Sequence, residues 1–189
     1  MKYLNELLDR LNDVSLTGKM NSKKYSEIIK VAVDLLLISK KNRKTIFFVG
    51  NGGSAGIAVH MTADYLKNGR IKTHSMFDIS TITCLGNDFG YEYIFSKQLQ
   101  VVAEKEDVLV AISSSGNSQN ILNAVSIARE RGCKIITFTG FKEDNKLRQL
   151  GDYNIYVPSM EYGIVESIHN MILQQFVDEI VAIDGIGLE

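Results

Sequence analysis

"FFVGNGGSAGIAVHMTADY", residues 47–65, decides how the rest of the chain is read. An apolar run with aromatic residues meets Gly50, Gly52 and Gly53, and Ser54 then opens a segment with helical character. A strand turning sharply into a helix is the opening unit of an alternating α/β fold, and such a turn favours glycine. Gly50-Asn51-Gly52-Gly53-Ser54-Ala55 also satisfies the dinucleotide pattern G-x-G-x-x-A, with Asp78 following a possible second strand. It lacks the Lys-Ser/Thr pair of a P-loop. The turn is thus open to three readings: a nucleotide cradle, a sugar-phosphate cradle, or a tight turn with no ligand.

Working outward, the alternation continues. Residues 45–49, 107–112 and 134–139 are apolar runs without internal alternation, the mark of strands covered on both faces. Helical segments are expected to about residue 67, over 120–131 and over roughly 145–150, followed by a strand at 153–157 and a long closing helix at 164–183. Ahead of them, Leu4, Leu7, Leu8 and Leu11 recur at helical spacing, as do Ile28, Ile29, Val31, Ala32, Leu35 and Leu36. A Ser/Thr/Gly/Asn-rich break separates these two helices. The expectation is one domain over residues 1–189, with an N-terminal helical pair (1–39) and an α/β core (40–189). The core is a three-layer, doubly wound fold around a parallel sheet of about five strands.

Composition narrows the class. The 189 residues are 45% hydrophobic and 23% charged, with a formal net charge of −1, the balance of a soluble globular protein. No basic face points to nucleic acid, and Lys40-Lys41-Asn42-Arg43-Lys44 reads as a solvated cluster at a helix-to-strand boundary. No apolar stretch reaches the ~18 residues of a membrane span, and the N-terminus lacks a signal-peptide core. Pro158 is the single proline, and Cys84 and Cys133 form no C-x-x-C pair, so a cytoplasmic protein with reduced thiols is expected.

In sheets of this kind ligands bind at the carboxyl ends of the strands, which makes residues 50–54 and 113–118 candidates together. The second loop, "AISSSGNSQN" (111–120), sets Ser113, Ser114, Ser115 and Ser118 around Gly116 where a strand feeds a helix. Capping a helix needs one hydroxyl, so the others are surplus. Free backbone N–H groups, the positive end of the helix dipole and neutral donors suit a phosphate monoester without any lysine. A solvated serine-rich turn is the plainer alternative. A dinucleotide fold has no use for a second cradle, which favours a sugar phosphate over a nucleotide.

"VGNGGSA…H", "LGNDFGYEYIFSKQ", "DVLVAISSSGNSQNIL" and "CKIITFTGF" resemble the sugar isomerase (SIS) domain, and within it the phosphoheptose isomerases. The resemblance runs from about residue 40 to the closing helix. It implies interconversion of sedoheptulose 7-phosphate and glycero-manno-heptose 7-phosphate, in precursor synthesis for lipopolysaccharide or capsule. It implies that Ser54, Ser113, Ser114, Ser115 and Ser118 line the sugar-phosphate site, with Asn51 and Gly52 beside them and Asn87 and Asp88 of "GND" as further substrate contacts. It also implies a homotetramer whose active sites draw on neighbouring subunits.

Aldose–ketose isomerisation needs a base to move a proton between C1 and C2. His60 and Asp64, four apart on the helix after the first cradle, suit joint metal ligation, a His–carboxylate couple, or an ordinary surface pair. The family carries a histidine and a glutamate at these two positions, and on its closing helix a glutamine and a second histidine; the four side chains bind zinc and supply acid and base. Here the closing-helix positions are Glu166 and Gln174, and Gly163 stands where an acidic substrate contact is implied. His60, Asp64, Glu166 and Gln174 are therefore the expected ligands of a divalent metal such as zinc. Asp64 and Glu166 are the candidate bases. His169, one turn beyond Glu166, is either a proton carrier or a core histidine satisfied by a backbone carbonyl; His74 reads as structural. Two other functions stay open: a SIS domain that binds a sugar phosphate or a protein without turnover, and, on the G-x-G-x-x-A match, a nucleotide-dependent oxidoreductase.

Overall fold

All six residues of Val108–Ser113 (β4) are buried, and they divide between two cores. Val108, Val110 and Ile112 face one core, Leu109 and Ala111 the other, because successive side chains of a strand point to opposite faces. Ile46–Val49 (β2) splits in the same way: Ile46 and Phe48 enter the first core, Phe47 and Val49 the second. Unbroken apolar runs therefore became strands covered on both sides. In the computed structural model, which describes residues 1–185, the first core is closed by Tyr25–Lys41 (α2), Gly53–Lys67 (α3) and Tyr162–Asp184 (α7). The second is closed by Ser96–Val102 (α5) and Gln119–Glu130 (α6). Three layers result.

With Ser15–Gly18 (β1), Thr73–His74 (β3), Lys134–Thr139 (β5) and Tyr153–Tyr156 (β6), the sheet has six strands in the order β1-β6-β5-β4-β2-β3. Five of them run parallel, as expected. The sixth, β1, pairs antiparallel with β6, Ser15 opposite Tyr156, inside the segment expected to be an irregular break. A four-residue edge strand carries too little period to be read from sequence. Its end is fixed by close approach: a Cβ on Gly18 (φ +119°) would stand 2.3 Å from the Asp152 carbonyl oxygen. The helix expected at 145–150 is a single 3-10 turn, Leu147–Gln149, whose first N–H is donated to the Gly116 carbonyl.

Two helices lie outside the cores. Lys2–Asn12 (α1) buries no residue fully; Leu7 and Leu11 pack inward, while Leu4 and Leu8 remain about half exposed. Ile79–Phe89 (α4) likewise has no buried residue and begins on Asp78, whose carboxylate accepts the Thr81 N–H at 2.8 Å. Asp78, the acid that a dinucleotide site would use on a ribose, is thus the cap of a helix.

Candidate active site

From β2 the chain turns to β3 on one side, then crosses to β4 and β5 on the other. That reversal opens a crevice at the carboxyl ends of β2 and β4, the place where such sheets take ligands. A cavity of about 400 Å³ fills it. Asn51, Gly52, Gly53 and Ser54 form one wall, Ser113, Ser114, Ser115 and Ser118 the opposite one, and Tyr162 and Glu166 arrive from α7. The two loops singled out by sequence are therefore one site.

The serine wall is preorganised. Ser113 Oγ accepts the Gly116 N–H at 3.2 Å, and Ser115 Oγ accepts the Asn117 N–H at 3.3 Å. Gly116 (φ +63°) admits no side chain, since its Cβ would fall 1.9 Å from Asn145 Oδ1. Ser118 occupies the N-cap position of α6 but its hydroxyl makes no capping bond. The Ser118 Oγ instead accepts a long bond from the Ser113 hydroxyl, 3.5 Å. The Ser114 hydroxyl is buried with no partner among the described residues. One unpartnered hydroxyl and one weakly held one beside a helix start, with no cationic side chain among the described lining residues, suit an anion such as a phosphate monoester.

The glycine wall holds a negative charge already. Ser54 N–H donates to the Glu166 carboxylate, and a Cβ on Gly53 would lie 2.2 Å from Glu166 Oε2. Gly53 is a glycine so that this carboxylate can rest on the first turn of α3, whose own N-cap residue, Gly52, supplies no side chain. Burial raises the pKa of Glu166 above the usual carboxylate value, and the Ser54 N–H offsets part of that rise. In a dinucleotide site the pyrophosphate would occupy this helix start. A carboxylate there repels it, which removes the nucleotide reading and leaves the anion to the start of α6. Glu166 is then the titratable group at the opposite end of the cavity.

Other expected site residues fall elsewhere. His60 Nε2 lies 3.3 Å from Asp64 Oδ2, so these two do form a pair, with His60 more than half exposed. Neither lines the cavity, and His60 follows Gly53 by about 10 Å along the helix axis. Gln174 is half-buried, farther along α7. Among the described residues no three His, Cys, Asp or Glu side chains gather at one point, so the four implied ligands do not form a metal set within one chain. Asn87 and Asp88 are exposed at the end of α4, bonded to each other (2.9 Å), and do not line the cavity. Gly163, at the position of the implied acidic contact, faces α1: a Cβ there would stand 2.8 Å from the Tyr3 hydroxyl.

Of the two roles expected for His169, proton carrier or core histidine held by a backbone carbonyl, the structure shows the second. His169 is fully buried, its Nε2 donating to the Thr139 carbonyl at 3.1 Å and its ring edge-on to Phe138. Burial pushes its pKa down to about 4. It is a neutral core histidine, not a proton carrier. Sequence reasoning in turn missed Tyr162, which lines the cavity from the first residue of α7, where no periodicity marks it.

Residues 3–140 match the SIS domain. The chain is 40% identical over 148 residues to the phosphoheptose isomerase of Aliarcobacter butzleri, covering 74% of this chain and 75% of that protein. The chain belongs to the phosphoheptose isomerases of the SIS-domain family. Solved phosphoheptose isomerases extend the likeness to the whole fold. The one from Neisseria gonorrhoeae superimposes with a TM-score of 0.81 at 28% identity, over 96% of both chains. The one from Francisella tularensis gives 0.83 at 26% identity, over 96% of this chain and 95% of that one. In this chain the two cradles share one cavity, with the Glu166 carboxylate against the first turn of α3.

Proposed function

We propose that the chain is an aldose–ketose isomerase that interconverts sedoheptulose 7-phosphate and D-glycero-D-manno-heptose 7-phosphate. The observation that carries this reading is the opposition, within one cavity, of an uncharged serine cradle and the Glu166 carboxylate. The phosphate rests on Ser114, Ser115, Ser118 and the start of α6. That leaves C1 and C2 toward Glu166. Glu166 takes a proton from C1 of the ketose; the C1–H electron pair becomes the C1–C2 double bond of an enediol and the C2 carbonyl oxygen takes up a proton. In the second half the O1 proton leaves, the C1 carbonyl forms, and the enediol π pair takes the proton back at C2. No atom is gained or lost. Burial raises the pKa of Glu166, and a raised pKa makes the carboxylate a stronger base for the first half while favouring the protonated form that returns the proton in the second.

The same reading includes a homotetramer with shared sites, supported by the apolar residues that α1 leaves exposed. It also includes a place in the cytoplasm, supported by two free thiols and, among the described residues, no helix long and apolar enough to cross a membrane. The test is direct: purified protein with sedoheptulose 7-phosphate in deuterated water should yield the aldose with deuterium at C2. Absence of both aldose and exchange would leave a sugar-phosphate-binding domain without turnover.

A further inference from the structure

The first turn of α6 contains a buried polar group that the reaction does not use, the Asn120 carboxamide, 2% exposed. Asn51 Nδ2 donates to Asn120 Oδ1 at 2.8 Å, and Asn120 Nδ2 donates to Asn51 Oδ1 at 2.8 Å. The Tyr91 hydroxyl, from the 3-10 turn Tyr91–Tyr93, donates to the same Asn51 oxygen at 2.9 Å. Each amide thereby uses a donor and an acceptor on the other, which fixes the two planes relative to each other. The partners belong to opposite walls. Asn51 is in the loop after β2, and Asn120 follows Ser118 by two residues on the helix after β4. The pair therefore bridges the crevice at its base.

A buried amide needs hydrogen bonds wherever it lies, and any nearby carbonyl would satisfy it. Asn120 instead finds both of its bonds on a residue of the cavity wall. We propose that Asn120 is a positioning residue: by holding Asn51 it sets the separation between the glycine wall with Glu166 and the serine cradle. This rests on the reading of the cavity as a sugar-phosphate site. A ligand long enough to touch both walls depends on that separation. Inorganic phosphate, which reaches the serine cradle alone, does not.

The experiment measures binding of inorganic phosphate and of sedoheptulose 7-phosphate by calorimetry, alongside thermal melting. Wild type, Asn120→Ala and Tyr91→Phe are compared. Asn120→Ala should weaken sugar-phosphate binding by roughly tenfold, the scale of one or two neutral hydrogen bonds, and change phosphate binding less than about twofold. Tyr91→Phe removes one exposed hydroxyl and should shift sugar-phosphate binding the same way by about two- to fivefold. If Asn120→Ala does not fold, Tyr91→Phe decides. Unchanged sugar-phosphate affinity in the folded variants overturns the proposal. So does an equal loss for both ligands, which would report damage to the cradle itself. A wild type that binds both ligands without turnover would sink the isomerase reading alone, with the two affinities still judging the clamp. A wild type that binds neither ligand overturns both.

Discussion

Glu166 shows how much one side chain can settle. Its carboxylate lies on the first turn of α3, bonded to the Ser54 N–H, and so decides against a pyrophosphate at that helix start. Glu166→Gln keeps an oxygen for the Ser54 N–H and removes the base. Turnover of sedoheptulose 7-phosphate should therefore fall by ~10²–10⁴ with little change in substrate affinity. Because burial disfavours the charged form, the variant should melt at or slightly above the wild-type temperature. A variant that keeps full turnover would remove Glu166 from the chemistry. On the facing wall, replacing Ser115 and Ser118 together with alanine should weaken sugar-phosphate binding by ~1–3 kcal/mol, measured by calorimetry. Unaltered affinity would move the phosphate elsewhere.

At the scale of an element, α7 serves two masters. Val165, Ile168, Ile172 and Phe176 seal the first core, and His169 is packed among them. Its Nε2 is satisfied by Thr139, while Nδ1 is buried without a partner among the described residues. The native histidine has a pKa of about 4 against 6.5 in an unfolded chain. Between those values the unfolded chain binds a proton that the native one excludes. The stability tied to His169 is thus complete above pH 6.5 and is lost as pH falls toward 4. Denaturant titrations should show this group lowering stability by about 2 kcal/mol between pH 7 and pH 5. His169→Leu should lose that part of the pH dependence and keep the isomerase activity. An unchanged pH slope in the variant would contradict a neutral core histidine.

The whole molecule leaves apolar surface that a single chain does not use. Tyr3, Leu4 and Leu8 on α1 are 53%, 55% and 48% exposed. In the proposed tetramer this stripe meets other subunits, and sizing with light scattering should give the mass of four chains at micromolar concentration. Leu4→Glu with Leu8→Glu should reduce that mass without unfolding the chain, because neither residue belongs to a core. A monomeric wild type would overturn the assembly.

Some of this was determined by the sequence alone. Residues 45–49, 107–112 and 134–139 specify strands covered on both faces, since an unbroken apolar run leaves no face for water. The glycine and serine loops identify themselves because the chemistry of a tight turn or an anion cradle is local. Other features had to wait for the tertiary structure. β1 exists because β6 offers it an edge, not through any period of its own. Asn87 and Asp88, together in a recognisable motif, end on the exposed side of α4. Glu166 and His169 stand three apart on α7, about 60° around the helix from each other. That small angle takes one to the cavity and the other to the core. The sequence supplies the order of residues around the helix, but the phase of α7 against α3 and the sheet is set by how dozens of distant side chains pack.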